Sequence, residues 1–299
     1  MFAGLHVALV TPFHDDGSVD EAKLRELVRW HVAAGTDALV PCGTTGESAT
    51  LRSDERLRIL RIVVAEARGA LRVVAGAGTN STAETVENLC ALEGLGVDGA
   101  LVITPYYNKP TQEGLFAHFR AAAQASPVPL VLYNVPGRTG VNLLPETLAR
   151  LAEVEPRIVA IKESSGSLEQ CSRILRLCGE RLALLCGEDA LTYPALCIGA
   201  VGVVSVVGNL VPRDIRAMIA SHLRGDATEA RHWHLRLLPL ADALFLETNP
   251  TPVKAAMNLL GFGVGGPRLP LVSPRPETME KLKRALAEYG LQAPVELGR

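Results

Sequence analysis

From its start to about residue 204 the chain repeats one unit: a short apolar run, a small or polar turn, and a stretch of helical periodicity. The apolar runs fall at His6–Val10, Ala38–Val40, Val73–Gly76, Ala100–Ile103, Leu130–Tyr133, Ile158–Ile161, Leu182–Cys186 and Val201–Val204. Runs apolar on both faces are what parallel strands covered on both sides require. Amphipathic stretches such as Asp20–Ala34, Ser53–Arg68 and Thr82–Leu95 lie between them. Ser53-Asp54-Glu55 places acids in one first turn, and Leu144-Pro145-Glu146 places a proline in another, both helix-start signals. Alternation of strand and helix implies a parallel sheet, and eight repeats is the count of a closed (β/α)8 TIM barrel. A doubly wound open sheet is the competing α/β architecture. It needs fewer strands and usually a glycine turn for phosphate after the first, and Val10-Thr11-Pro12-Phe13 has no glycine.

The alternation stops near Gly225. Beyond it only helical patterns follow, at Asp226–Leu246, Thr251–Leu260 and Glu277–Tyr289. The expected division is a catalytic barrel over 1–225 and a C-terminal helical appendage over 226–299 packed on it, since no linker composition separates the two. A formal net charge of -2 points to neither nucleic acid nor a membrane surface as partner. No apolar run is long enough to cross a bilayer. Met1–Val10 lacks the basic segment and long apolar core of a secretory signal, so a cytoplasmic location is expected. The six cysteines are scattered without a C-x-x-C pair and read as free, buried thiols.

In such barrels chemistry collects at the carboxyl ends of the strands. There the chain places Thr11, Gly43-Thr44-Thr45-Gly46-Glu47, Gly78-Thr79-Asn80, Thr104-Pro105-Tyr106-Tyr107, Tyr133-Asn134, Lys162-Glu163, Gly187-Glu188-Asp189 and Ser205. Strands that end where polarity begins account for hydroxyls and amides. They account poorly for a lysine and three tyrosines in a chain with five tyrosines. Lys162 closes an apolar run. Burial there disfavours an ammonium and would make the amine a nucleophile for carbonyl carbon, the Schiff-base role. The alternative is a lysine that snorkels outward or pairs with Glu163. The two glycines around Thr44-Thr45 let backbone N–H groups converge as an anion nest, which suits a small carboxylate. Tyr133 can pass protons to an imine, and Arg138, after a Pro-Gly turn, can grip a second carboxylate. Gly76-Ala77-Gly78 lacks the third glycine of a dinucleotide fingerprint. His232 and His234, two apart on an expected helix, face different ways and make a poor metal pair, so no catalytic metal is expected.

Together these segments resemble the dihydrodipicolinate synthase/N-acetylneuraminate lyase family of class I aldolases. The resemblance rests on Ala8-Leu9-Val10-Thr11-Pro12-Phe13, Gly43-Thr44-Thr45-Gly46-Glu47, Thr104-Pro105-Tyr106-Tyr107-Asn108-Lys109-Pro110, Tyr133-Asn134-Val135-Pro136-Gly137-Arg138-Thr139-Gly140, Ile161-Lys162-Glu163-Ser164 and Asn249-Pro250-Thr251-Pro252-Val253-Lys254. It covers nearly the whole chain. It implies that Lys162 forms an imine with pyruvate and that no other cofactor is needed. It implies that Thr44-Thr45 hold the pyruvate carboxylate, that Tyr133 is the acid/base, and that Thr44, Tyr107 and Tyr133 form a proton relay. In the family the residue matching Tyr107 comes from a neighbouring subunit, which implies a homo-oligomer, commonly a tetramer built as a dimer of dimers. Arg138 is implied as the binder of the aspartate semialdehyde carboxylate, and Gly187 and Val204 as lining for pyruvate.

Sialic acid lyases of this family resemble G-S-T-G-E at the first motif and lack an arginine like Arg138. The expected reaction is therefore condensation of pyruvate with aspartate semialdehyde to 4-hydroxy-tetrahydrodipicolinate. The alternatives are aldol chemistry on a sugar acid, or a barrel that keeps the pocket as a sensor. Residues matching the family's lysine-inhibition site are Ser48, Ala49, Asn80, Glu84 and Tyr106. Feedback-sensitive members commonly carry histidines where this chain has Ser53 and Arg56. Arg56 would repel a lysine ammonium, so weak lysine inhibition is expected.

Overall fold

A computed structural model describes residues 2–293. In chain order the elements are β1 Gly4–Ala8, α1 Glu21–Ala34, β2 Ala38–Val40, α2 Ser53–Ala67, β3 Arg72–Gly76, α3 Thr82–Cys90, β4 Gly99–Ile103 and α4 Gln112–Ala125. They continue with β5 Leu130–Asn134, α5 Pro136–Thr139, α6 Pro145–Val154, β6 Ile158–Glu163, α7 Leu168–Cys178, β7 Ala183–Cys186, α8 Thr192–Cys197 and β8 Gly202–Ser205. Four helices follow: α9 Pro212–Leu223, α10 Ala227–Leu244, α11 Thr251–Leu259 and α12 Pro276–Tyr289. The eight strands are ordered β1 to β8 in a closed barrel, with parallel ladders from β1–β2 through β7–β8, which is the (β/α)8 fold and excludes the open sheet.

All eight apolar runs become strands. β1 lies two residues earlier than its run, at Gly4–Ala8, and β6 continues two residues past its run, through Lys162 and Glu163, and so carries both charged residues inside the ladder. Polarity did not end that strand because each charged side chain has its own face. In parallel register Lys162 pairs with Tyr133 of β5 and Glu163 with Asn134. Alternation sends neighbouring side chains to opposite sides of a sheet. α3 stops at Cys90 rather than Leu95, and a turn fills the difference.

The chain groups into two compact units. One joins the residues up to Gly4 with Val74–Val204; the other joins Leu5–Val73 with the residues from Ser205 on. In the second unit α1 shows how local sequence makes an element. Asp20 caps it by accepting from the Lys23 N–H at 2.9 Å, and Gly35 ends it in the left-handed region at φ 74°. Leu24, Leu27, Val28 and His31 form its buried stripe at helical spacing. Each such aliphatic side chain contributes about 1.5–3 kcal/mol by leaving water. α12 packs on α10 and α11 in the same unit. Its last residue, Tyr289, donates its hydroxyl to Asp214 of α9 at 2.6 Å and lies under the Arg236 guanidinium of α10. Residues 294–299 of the expected C-terminal appendage lie outside the described residues.

In the first unit Ser81, Thr111 and Ser167 cap α3, α4 and α7 through their hydroxyls. Of the six cysteines, Cys42, Cys171, Cys178 and Cys186 are buried as expected. Cys90 and Cys197 are exposed, because each closes its helix at the surface. No helix of the described residues is long and apolar enough to cross a membrane.

Candidate active site

Lys162 sits on β6 with 6% of its surface exposed, and its Nζ lies 4.0 Å from the centroid of the Tyr133 ring. Register brings this about: the two residues are direct partners across β5 and β6, so their side chains share a face. Tyr133 is itself 5% exposed. Among the described residues no carboxylate forms an ion pair with this buried amine, an arrangement that keeps it available to a carbonyl.

Glu163 does not pair with Lys162. Its carboxylate accepts from Asn134 Nδ2 at 3.2 and 3.0 Å, from the Ser165 N–H at 2.7 Å and from Gln170 Nε2 at 3.1 Å. Asn142 extends the network, accepting from Asn134 Nδ2 at 2.7 Å and donating to Gln170 Oε1 at 2.8 Å. Three donor groups making four hydrogen bonds to one buried carboxylate satisfy its charge and anchor the turn after β6. Sequence reasoning passed over this network because its members lie on β5, β6, α7 and a loop. Only the Tyr133-Asn134 and Lys162-Glu163 pairs at strand ends hinted at it.

Gly187 follows β7 beside the lysine. A Cβ there would overlap Ser164 Oγ and lie 3.0 Å from Lys162 Cε, so any side chain would force Ser164 to turn and the lysine stem to give way. Ser164 Oγ is buried and bonds no side chain or backbone group among the described residues. Glu188, next in sequence, carries a carboxyl raised above the usual range by burial, with Lys162 and Arg138 pulling it down. That places Glu188 within the electrostatic reach of both, a role the motif reading did not assign. Val204 is buried on β8. Arg138 lies on α5 and is exposed. Tyr107 does not join Lys162 and Tyr133 within this chain: it is 89% exposed, with its backbone in the left-handed region at φ 74° and its N–H donated to Thr139 O at 3.3 Å.

The Thr44-Thr45 turn belongs to the other unit and is fixed there from several sides. Cys42 and Glu47 both take left-handed backbone, at φ 56° and 58°. Glu47 N–H donates to Thr44 O at 3.0 Å, Ser48 N–H to Gly43 O at 3.2 Å, and Thr11 Oγ1 to Gly46 O at 2.7 Å. A Cβ on Gly46 would come 3.0 Å from Cys42 N and 3.1 Å from Leu9 O, so the turn is closed on backbone. Thr45 Oγ1 accepts from Asn249 Nδ2 at 2.9 Å, across 204 residues of sequence. Thr45 is buried, whereas Thr44 is half-buried. Glu47 is held by Lys254, whose Nζ also donates to Thr11 O at 3.0 Å and Gly266 O at 2.7 Å. Among the described residues no three His, Cys, Asp or Glu side chains converge as metal ligands.

The dihydrodipicolinate synthetase family matches residues 1–289. The 4-hydroxy-tetrahydrodipicolinate synthase of Geotalea daltonii is 53% identical over 97% of this chain and 100% of its own length. The crystal structure of dihydrodipicolinate synthase from Aquifex aeolicus superposes with a TM-score of 0.96 at 43% identity, covering 98% of this chain and 100% of that one. The lysine-bound enzyme from Cyanidioschyzon merolae superposes with a TM-score of 0.95 at 46% identity, covering 97% and 99%. With a closed barrel, a phenol-backed lysine on its sixth strand and a match along nearly its full length, the chain belongs to the dihydrodipicolinate synthetase family.

Proposed function

We propose that the chain condenses pyruvate with aspartate 4-semialdehyde through an imine on Lys162, giving 4-hydroxy-tetrahydrodipicolinate. The observation that carries this reading is the buried Lys162 Nζ against Tyr133, with Glu163 fully engaged elsewhere. The amine adds to the pyruvate keto carbon and water leaves, Tyr133 supplying and taking up the protons. The cationic imine acidifies the methyl group, and loss of a methyl proton gives an enamine. Its carbon attacks the aldehyde carbon of the second substrate, whose oxygen gains a proton. The adduct's own amino group then adds to the imine carbon, closes a six-membered ring and releases the Lys162 amine. Overall one water is formed, and no group beyond the protein's own lysine carries the carbon.

Thr44 and Thr45 are assigned to the pyruvate carboxylate, Gly187 and Val204 to the pyruvate lining, and Arg138 to the semialdehyde carboxylate. The exposed Arg138 near Glu188 supports the last assignment, since the second substrate bears both a carboxylate and an ammonium. Tyr107 completes the proton relay with Thr44 and Tyr133 from a second copy of the chain, in a homotetramer built as a dimer of dimers. Its 89% exposure supports that reading. The cytoplasm, where both small substrates would be met, is the assigned compartment.

Borohydride with pyruvate tests the imine: a covalent adduct mapped to Lys162 is expected, and its absence would leave the sensor reading. Turnover with aspartate semialdehyde against a sugar-acid aldehyde separates the two aldol reactions. Arg138→Ala should depress the semialdehyde reaction most. Mixing Tyr107→Phe with Lys162→Ala should restore partial activity, because mixed oligomers rebuild some complete sites.

A further inference from the structure

The Asn249-Pro250-Thr251-Pro252-Val253-Lys254 segment is one of the motifs that carry the family resemblance, and nothing in the proposed reaction uses its first residue. Asn249 is 4% exposed and Thr45 is 2% exposed. The bond between them runs from the amide Nδ2, a donor, to the threonine Oγ1, an acceptor. A hydroxyl has one proton to give. Accepting from Asn249 means that Thr45 need not turn that proton back toward the segment, and it makes no further hydrogen bond among the described residues. An amide donor on the oxygen also polarises the O–H outward, since hydrogen bonds in a chain strengthen one another.

We propose that Asn249 is a positioning residue for the keto acid: it fixes the rotor of Thr45 so that the hydroxyl donates to the pyruvate carboxylate. The inference rests on the assignment of Thr45 to that carboxylate. Two further contacts make the arrangement rigid. Thr11 Oγ1 holds Gly46 O from one side, and Lys254, five residues beyond Asn249, holds Glu47 from the other. The segment that leads into α11 and its first turn thus fix the glycine turn at two points, with Asn249 acting on Thr45 and Lys254 on the Glu47 carboxylate.

Asn249→Asp separates this role from simple packing. The two side chains have nearly the same shape, yet a carboxylate accepts where the amide donated. Thr45 would then give its proton to residue 249, and a negative charge would stand near a carboxylate ligand. The experiment is borohydride trapping of pyruvate on Lys162 across a range of pyruvate concentrations, together with steady-state kinetics for both substrates. Loss of a hydrogen bond to a charged ligand predicts a rise of about 10-fold in half-saturation for Asn249→Ala, and about 100-fold or more for Asn249→Asp. In Asn249→Ala the semialdehyde KM should stay within about 2-fold, because one hydrogen bond to pyruvate is all that is altered. Methyl pyruvate, which has the keto carbon but no anion, should show about 3-fold or less difference between wild type and Asn249→Asp, since the charge repulsion is gone. In a Thr45→Val background the Asn249→Ala effect should vanish, since the rotor it sets is absent.

Equal half-saturation in wild type and Asn249→Asp overturns the proposal. So does an equal loss with pyruvate and its ester, or penalties of Thr45→Val and Asn249→Ala that multiply independently. If Asn249→Asp is not folded by circular dichroism, Asn249→Ala in the wild-type and Thr45→Val backgrounds keeps the test, an equal penalty in both overturning the proposal. Failure of wild type to trap pyruvate at all would instead remove the imine reading, an outcome distinct from any of these.

Discussion

Lys254 and Glu47 form an ion pair at 2.9 Å with each side chain 1% exposed. Burial lowers the lysine below its usual range and the Glu47 charge opposes that shift. The ammonium also lies 4.3 Å from the Phe13 ring centroid, and the Arg268 N–H donates to the second Glu47 oxygen at 2.8 Å. Removing one partner leaves the other charge buried and unpaired, which costs about 3–5 kcal/mol. Lys254→Met should therefore lower the urea midpoint sharply, whereas Lys254→Met with Glu47→Gln should recover a substantial part of the loss. A double variant no more stable than the single one would show that the pair does not hold the turn.

Gly187→Ala should cripple turnover while leaving the barrel folded. The added methyl would overlap Ser164 Oγ and press on Lys162 Cε, so the expected response is a turned Ser164 and a displaced lysine stem. A displacement of about 1 Å at a reacting group costs on the order of 100-fold in rate. Ser164→Gly removes the closer of the two obstacles, and combining it with Gly187→Ala should restore part of kcat/KM. Circular dichroism of each variant, read beside its kinetics, separates misplacement from unfolding. An unimpaired Gly187→Ala enzyme would contradict the geometry.

The barrel was legible because its signal is periodic and local: eight apolar runs, each bounded by small or polar residues. Lys162 and Tyr133 were legible because a lysine and a tyrosine are costly at strand ends, and register alone then brings them together. The Glu163–Asn134–Gln170–Asn142 network left no such trace, since amides near strand ends are ordinary and their partners lie on other elements. The apolar run stops at Ile161, two residues short of the end of β6, for the same reason: pairing of Glu163 with Asn134 extends the ladder past the first charge. The bond from Asn249 to Thr45 spans 204 positions, and the segment containing Asn249 stood out only through the family resemblance.

Weak inhibition by lysine is the outcome expected from Arg56. It is 8% exposed, on the same unit as Ser48 and Ala49, and its charge reaches the buried Cys42 thiol, which burial pushes up to about 12. A fixed cation near an ammonium site disfavours binding. Wild-type activity should thus be little affected by lysine at concentrations that saturate a feedback-sensitive enzyme. Arg56→His, made with Ser53→His, should strengthen inhibition about 10-fold or more, the scale of one like-charge repulsion removed. Isothermal titration with lysine reads the same change without turnover. Strong inhibition of the unaltered enzyme at micromolar lysine would refute the expectation.

Acid stability should be governed in part by two neutral buried histidines. Burial holds His31 down at about 3 and His118 at about 4, against an ordinary value of 6.5. His31 Nδ1 is hydrogen-bonded to Thr36 Oγ1 at 3.0 Å and His118 Nδ1 to Thr82 Oγ1 at 2.9 Å. Depressed folded values mean that the unfolded chain binds the extra protons as pH falls. Their contribution is complete above pH 6.5 and is lost on acidification from 6.5 toward 4 and 3. Each histidine then removes up to about 1.4 kcal/mol of stability per pH unit across that window. Glu55, held at about 2 chiefly by its hydrogen bonds from Arg268, acts in the same direction below its ordinary 4.5. Urea unfolding at pH 7.5 and 5.0 isolates the histidines, because the Glu55 window has barely opened. His118→Gln should reduce the loss between those two pH values by about the share of one proton, and an unchanged loss would show that His118 titrates alike in the folded and unfolded chain.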